Sequence, residues 1–91
     1  MSATQVFYEG NVQGVGFRYT VKSIARGFDV TGFVGNLRDG RVELQASGDE
    51  TEVRAFLDAV QESELRSHIR KTEEHQLPDD SSYSGFAIRY E

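Results

Sequence analysis

Two glycines, an arginine and an asparagine are the residues in this sequence best suited to reactive chemistry. The run Gln13-Gly14-Val15-Gly16-Phe17-Arg18 leads from an alternating segment into an amphipathic one. Glycine at 14 and 16 opens backbone conformations that other residues avoid. Successive N–H groups in such a turn can converge on one point and form an anion nest. A helix starting where the turn ends adds unpaired amides and the positive end of its dipole. Arg18 brings a full charge and a fork of donors that matches phosphate oxygens. The combination suits a terminal, tetrahedral, doubly charged phosphate. A plain tight turn followed by an exposed arginine fits the same letters, and the pattern alone leaves both open. Two common phosphate motifs are excluded. The dinucleotide fingerprint needs a third glycine where Tyr19 stands. The nucleotide P-loop needs Gly-Lys-Ser/Thr, whereas Phe17-Arg18 follows Gly16.

Asn36 closes a second strand-like run, Val30 to Asn36. Asparagine at a strand end often serves the turn. Within a site, its amide can donate to one oxygen and accept from a water, and so orient a nucleophile. It has no useful basicity, so a reaction run there must manage with little acid–base help. A phosphate ester with an alkoxide leaving group needs a general acid. A mixed carboxylic–phosphoric anhydride does not, because the departing carboxylate is already a weak base. Such a reaction reduces to positioning and charge stabilisation, as phosphoryl transfer generally does.

The elements that must position these residues follow from periodicity. In residues 5–12, Val6, Tyr8, Gly10 and Val12 fall on one side, as in a strand. Phe17, Val21, Ile24, Ala25 and Phe28 form the stripe of a helix. It should end at 27–29, where Gly27 or Asp29 can supply a left-handed cap. The second strand spans 30–36, and Asp39-Gly40 marks a tight turn. The third strand turns Val42, Leu44 and Ala46 inward and Arg41, Glu43, Gln45 and Ser47 outward. A second helix begins at Asp49, where Glu52 can complete a capping box, and buries Val53, Phe56, Leu57 and Val60. Residues 69–75 read as a polar edge strand, 77–80 as a loop, and 85–90 as a closing strand with Phe86 and Ile88 inward.

The order is β-α-β-β-α-β with room for an extra edge strand. It predicts an α+β fold with two helices on one face of a four- to five-stranded antiparallel sheet. The strand–helix–strand crossover makes strands one and two parallel, with strand three between them. The turn 13–18 and Asn36 are then neighbours at one edge of the sheet.

Composition narrows the function classes. The 91 residues, 37% hydrophobic, make a single domain over 1–91. The absence of any long apolar run excludes a membrane-spanning helix. The start lacks a basic-then-apolar leader, so a cytoplasmic location is expected. Having no cysteine removes disulfides, thiolate nucleophiles and cysteine metal sites. A net charge of −5 counts against binding nucleic acid or anionic membranes. His68 and His75, on the polar edge strand, read as surface residues rather than metal ligands. Glu73, Glu74, Asp79 and Asp80 read as a solvated edge and loop, and Tyr8, Tyr19, Tyr83 and Tyr90 as half-buried packing.

The segments Gly10 to Arg18, Gly32 to Asn36 and Asp39 to Glu43, with Ser67-His68-Ile69 and Phe86 to Tyr90, resemble the acylphosphatase family over essentially the whole chain. The resemblance implies a ferredoxin-like sandwich and metal-free hydrolysis of acyl phosphates to carboxylate and phosphate; no cofactor is expected, and a monomer is the expected state. By position, Arg18 matches the family's phosphate-binding arginine and Asn36 its water-orienting asparagine. Gln13, Gly14, Val15, Gly16, Phe17 and Arg18 match its phosphate cradle. Three departures stand out: Asn11 where a basic residue is common, Phe33 for a frequent tryptophan, and Asp29 for a glycine at the helix exit.

RNA-recognition modules share this element order, and Arg26-Gly27-Phe28 with Gly32-Phe33 echoes their aromatic motif. That motif belongs on a third strand, whose outward residues here are polar. A catalytically silent ligand sensor of the same shape is a third reading, disfavoured because Arg18 and Asn36 are both present.

Overall fold

The computed structural model of the chain describes residues 2–78 and 84–90. The elements are β1 (Ser2–Gly10), α1 (Phe17–Ala25), β2 (Val30–Asn36), β3 (Val42–Gly48), α2 (Glu50–Glu62), β4 (Ile69–Leu77) and β5 (Phe86–Arg89). A 3-10 turn, Glu64–His68, precedes β4. The strands make one sheet in the order β4-β1-β3-β2-β5. This is the ferredoxin-like α+β arrangement, with β3 lying between β1 and β2 as the crossover requires. The sheet is mixed rather than wholly antiparallel, because β5 runs parallel to β2 at the outer edge. The fourth strand of the βαββαβ order is β4, beside β1, and the closing segment β5 is the added edge.

One core explains the elements. Val6 and Tyr8 of β1 pair with Leu44 and Val42 of β3, and Val34 of β2 pairs with Leu44. These side chains pack with Phe17 and Val21 of α1 and with Val53, Phe56, Leu57 and Val60 of α2. Both helices therefore cover the same face. Phe56 is the hub: its ring lies 5.9 Å from Phe28, beyond the α1 exit, and 5.4 Å from Phe86 on β5. The aromatic echo of an RNA-binding motif at Phe28 is thus core packing. Glycine is obligatory at Gly32, where a Cβ would lie 1.9 Å from the Gln45 carbonyl oxygen on the neighbouring strand.

Both expected caps differ. Helix α1 has no left-handed end; Arg26 stays in the helical region, and no non-glycine residue among those described has positive φ. Asp29 therefore carries no left-handed strain. Its N–H donates to Glu52 Oε1 at 2.8 Å, joining the start of β2 to the first turn of α2. That contact engages Glu52 away from the capping box, and Asp49 caps α2 without a side-chain hydrogen bond.

The polar edge is more structured than a solvated strand. Glu74 takes both terminal nitrogens of Arg54 at 3.0 and 3.1 Å, tying β4 to α2. Glu73 Oε2 accepts from His75 Nε2 at 2.7 Å, and that hydrogen bond holds the Glu73 carboxyl below its usual range. His68 ends the 3-10 turn rather than lying on a strand. Asp79, Asp80 and Tyr83 lie outside the described residues. No helix among those described is long and apolar enough to cross a membrane.

Tyr8 is fully buried, and burial, reinforced by the charge of Glu74, pushes its phenol well above the ordinary value of 10.0. A raised folded pKa means a contribution that is whole below pH 10 and is lost as pH rises beyond it. Denaturant unfolding should show stability falling above pH 10, by up to about 1.4 kcal/mol per pH unit from this one group. Tyr8→Phe should fall less steeply over the same range. Identical alkaline slopes for the two proteins would contradict a buried neutral phenol.

Candidate active site

The loop between β1 and α1 takes its shape from two left-handed glycines. Gly14 has φ 78°, and Gly16, the N-cap of α1, has φ 76° and ψ 18°. A Cβ at either would meet nothing within 4 Å. The requirement is conformational, a left-handed backbone costing other residues about 1–2 kcal/mol. No side chain caps α1, and its first bond runs from the Thr20 N–H to the Gly16 carbonyl at 3.0 Å. The N–H groups of Phe17, Arg18 and Tyr19 precede that bond and have no helical acceptor.

Apolar anchors hold the loop at both ends. Val12 is buried although β1 ends at Gly10, so it belongs to the loop rather than to the expected strand. Phe17 is buried with its ring 5.2 Å from that of Tyr8, and Val15 packs partly against the core. Gln13 adds a polar stitch. Its Nε2 donates to the carbonyls of Leu37 at 2.7 Å and Arg41 at 3.0 Å, in the β2–β3 turn. With that side chain engaged, what Gln13 can offer an anion is its main-chain N–H.

Asn36 ends β2 on the same side as Val34, the side that faces the helices. Its Oδ1 is buried and accepts no hydrogen bond from the described residues. Leaving such an acceptor unpaired costs about 1–3 kcal/mol. Asn36, Gly14, Gly16, Arg18 and Tyr19 line a hollow of about 110 Å³, floored by Val12 and Phe17. The two segments that topology places at one edge of the sheet thus share a cavity.

Arg18 reaches this hollow without a carboxylate partner among the described residues. Its Nη1 donates to the Arg89 carbonyl at a long 3.5 Å, and its guanidinium carbon stands 5.1 Å from the centre of the Tyr90 ring. Most of its five N–H donors remain for an anion. A larger groove of about 530 Å³ lies between α2 and β4. Its only lining cation among the described residues, Arg54, is committed to Glu74 and Asp58, so it is a poor anion site. No group of three or more His, Cys, Asp or Glu residues among those described is arranged to hold a metal ion.

Periodicity missed the role of β5. Its parallel pairing with β2 brings the Arg89 carbonyl and Tyr90 to Arg18 across 71 residues of chain. Tyr19 and Tyr90 are not half-buried packing. They are 66% and 68% exposed, with hydroxyl oxygens 3.4 Å apart. The one available signal was adjacency, Tyr19 following Arg18 and Tyr90 following the last strand.

The family model for Acylphosphatase matches residues 4–88 of the chain. The chain is 38% identical over 90 residues to the acylphosphatase of Archaeoglobus fulgidus, covering 99% of this chain and 100% of that one. It is 37% identical over 91 residues to the acylphosphatase of Thermotoga maritima, covering 99% of each. The crystal structure of acylphosphatase from Bacillus subtilis matches the fold with a TM-score of 0.89 at 33% identity, over 99% of this chain and 100% of that one. Fold and relatives together define the class, a hydrolase on a ferredoxin-like frame. The chain belongs to the acylphosphatase family, and the reaction that goes with it is the hydrolysis of acyl phosphates.

Gln13→Ala removes both bonds that stitch the loop to the β2–β3 turn. It should lower unfolding free energy by about 1–3 kcal/mol in urea. A change below about 0.5 kcal/mol, the scale of an ordinary surface substitution, would mean that the stitch does not hold the loop.

Proposed function

We propose that the hollow holds the phosphoryl group of an acyl phosphate and that Asn36 orients the water that attacks it. The main-chain N–H groups of the loop from Gln13 to Arg18 and the Arg18 guanidinium receive the phosphate oxygens. The observation that carries this reading is the unpaired Asn36 Oδ1, buried beside Arg18 and the left-handed glycines in a single cavity. That oxygen calls for a donor, and a water O–H supplies one while leaving a lone pair for phosphorus.

The bond changes are simple. A bond forms from the water oxygen to phosphorus, and the bond from phosphorus to the acyl oxygen breaks with its electron pair. The carboxylate leaves, and the proton of the attacking water passes to the phosphate product or to solvent. The conjugate acid of a carboxylate leaving group has a pKa of about 4, so departure at neutral pH needs no general acid. Charge on the equatorial oxygens is met by amides and a guanidinium fixed in place before the reaction, the effect that dominates phosphoryl transfer. The scheme calls for no metal or cofactor. Every group in it comes from one chain, so a monomer suffices.

Two substitutions separate the roles. Arg18→Ala should lower kcat/KM for benzoyl phosphate by about a hundredfold or more, close to the 3 kcal/mol scale of one charge-stabilising contact. Retention of full activity would remove Arg18 from the site. Asn36→Ala should lower kcat while leaving inhibition by inorganic phosphate largely intact, because the lost contact belongs to the transition state. Turnover at the parent rate would refute the water-orienting role.

A further inference from the structure

The hollow has room for a phosphate and little more. At about 110 Å³ it is well below the ~300 Å³ at which sites begin to enclose a whole ligand. If the phosphoryl group occupies it, the acyl group must lie outside, on the rim. The rim carries the two large apolar side chains that stand exposed among the described residues, Tyr19 and Tyr90. Isolated exposed aromatics are ordinary, but two of them 71 positions apart in sequence converge here, hydroxyl to hydroxyl at 3.4 Å. Tyr19 lines the hollow itself, and Tyr90 stands beside the Arg18 guanidinium.

We propose that the exposed rings of Tyr19 and Tyr90 form the acyl-group subsite of this enzyme and favour acyl phosphates whose acyl group is flat and apolar. The proposal rests on the reading that places the phosphoryl group in the hollow. Tyrosine presents a large contact area with few rotatable bonds. The mutual hydroxyl contact pre-orients the two rings and lowers the cost of ordering them on binding. Ring faces carry negative charge density, which favours the positive edge of another aromatic group and repels a second carboxylate. Acyl groups bearing an extra carboxylate gain nothing from this shelf. A small group such as acetyl is too short to cover it.

The test compares benzoyl phosphate with acetyl phosphate in the parent, Tyr19→Ala and Tyr19→Phe. Alanine is the best helix former, so the exposed first turn of α1 tolerates the change. In Tyr19→Ala, the ratio of kcat/KM for benzoyl over acetyl phosphate should fall about three- to tenfold, the size of one aromatic contact, mostly through KM. Tyr19→Phe keeps the ring and should retain most of the preference. Competitive inhibition by phenylphosphonate relative to methylphosphonate should follow the same order without turnover. An unchanged ratio in Tyr19→Ala, or an equal fall in Tyr19→Phe, would overturn the subsite. Inorganic phosphate separates this failure from failure of the underlying reading. Competitive inhibition of the parent together with an unchanged ratio rejects the subsite alone, whereas absence of competition with benzoyl phosphate rejects both.

Discussion

The constraint on which the structure depends is the crossover between two parallel strands. A chain that leaves β1, passes through α1 and returns as β2 in the same sheet must do so with one handedness, and it leaves a gap for one strand between them. β3 fills that gap, hydrogen-bonded to both. The C-terminal ends of β1 and β2 are then fixed at the same edge, one strand apart. A glycine loop following one and an asparagine ending the other meet there without any long excursion of the chain. In open sheets generally, ligands gather where strand ends and helix starts converge, and a helix start suits anions in particular.

Around that edge, the packing is asymmetric in a useful way. Apolar anchors at Val12 and Phe17 fix the ends of the loop, and Gln13 ties it to the opposite turn, so two glycines can hold left-handed conformations between rigid supports. The protein as a whole is acidic, with a net charge of −5, yet the hollow is lined by an arginine with no carboxylate partner among the described residues. Arg54 and Arg41, by contrast, are spent on carboxylates, the first on Glu74 and Asp58 and the second on Asp39. Local geometry, rather than the overall field, decides where an anion can sit. Long-range attraction of substrate is weak in such a protein, since exposed charges are screened within about 8–10 Å at ordinary salt.

How much of this was legible in the sequence depends on the range of the interaction concerned. Helix and strand stripes are local, and they placed α2 on Val53, Phe56, Leu57 and Val60, and β2 on 30–36. The parallel run of β1 and β2 on either side of β3 follows from the crossover rule, so the meeting of residues 13–18 with Asn36 followed from order alone. The cap at Asp49 was misread because a local rule lost to a distant partner: the Asp29 N–H, 23 residues away, takes Glu52. The edge strand β5 was visible as a strand but not as a parallel partner of β2, because nothing in periodicity encodes which edge a terminal strand joins. Tyr19 and Tyr90 were misread for the same reason. That pairing brings Tyr90 up to Tyr19 on α1, where both rings stand exposed with their hydroxyls in contact.

In the mechanism proposed above, one oxyanion sits against Arg18 and the main-chain amides of the β1–α1 loop, within reach of Asn36. Diffraction from crystals soaked in inorganic phosphate tests it most directly. Phosphate should occupy the small hollow, within hydrogen-bond distance of the Arg18 guanidinium and of at least two N–H groups from residues 14–19, with the Asn36 amide beside it. Phosphate found instead in the groove between α2 and β4, or bound at the loop with Asn36 out of reach of any of its oxygens, would contradict it.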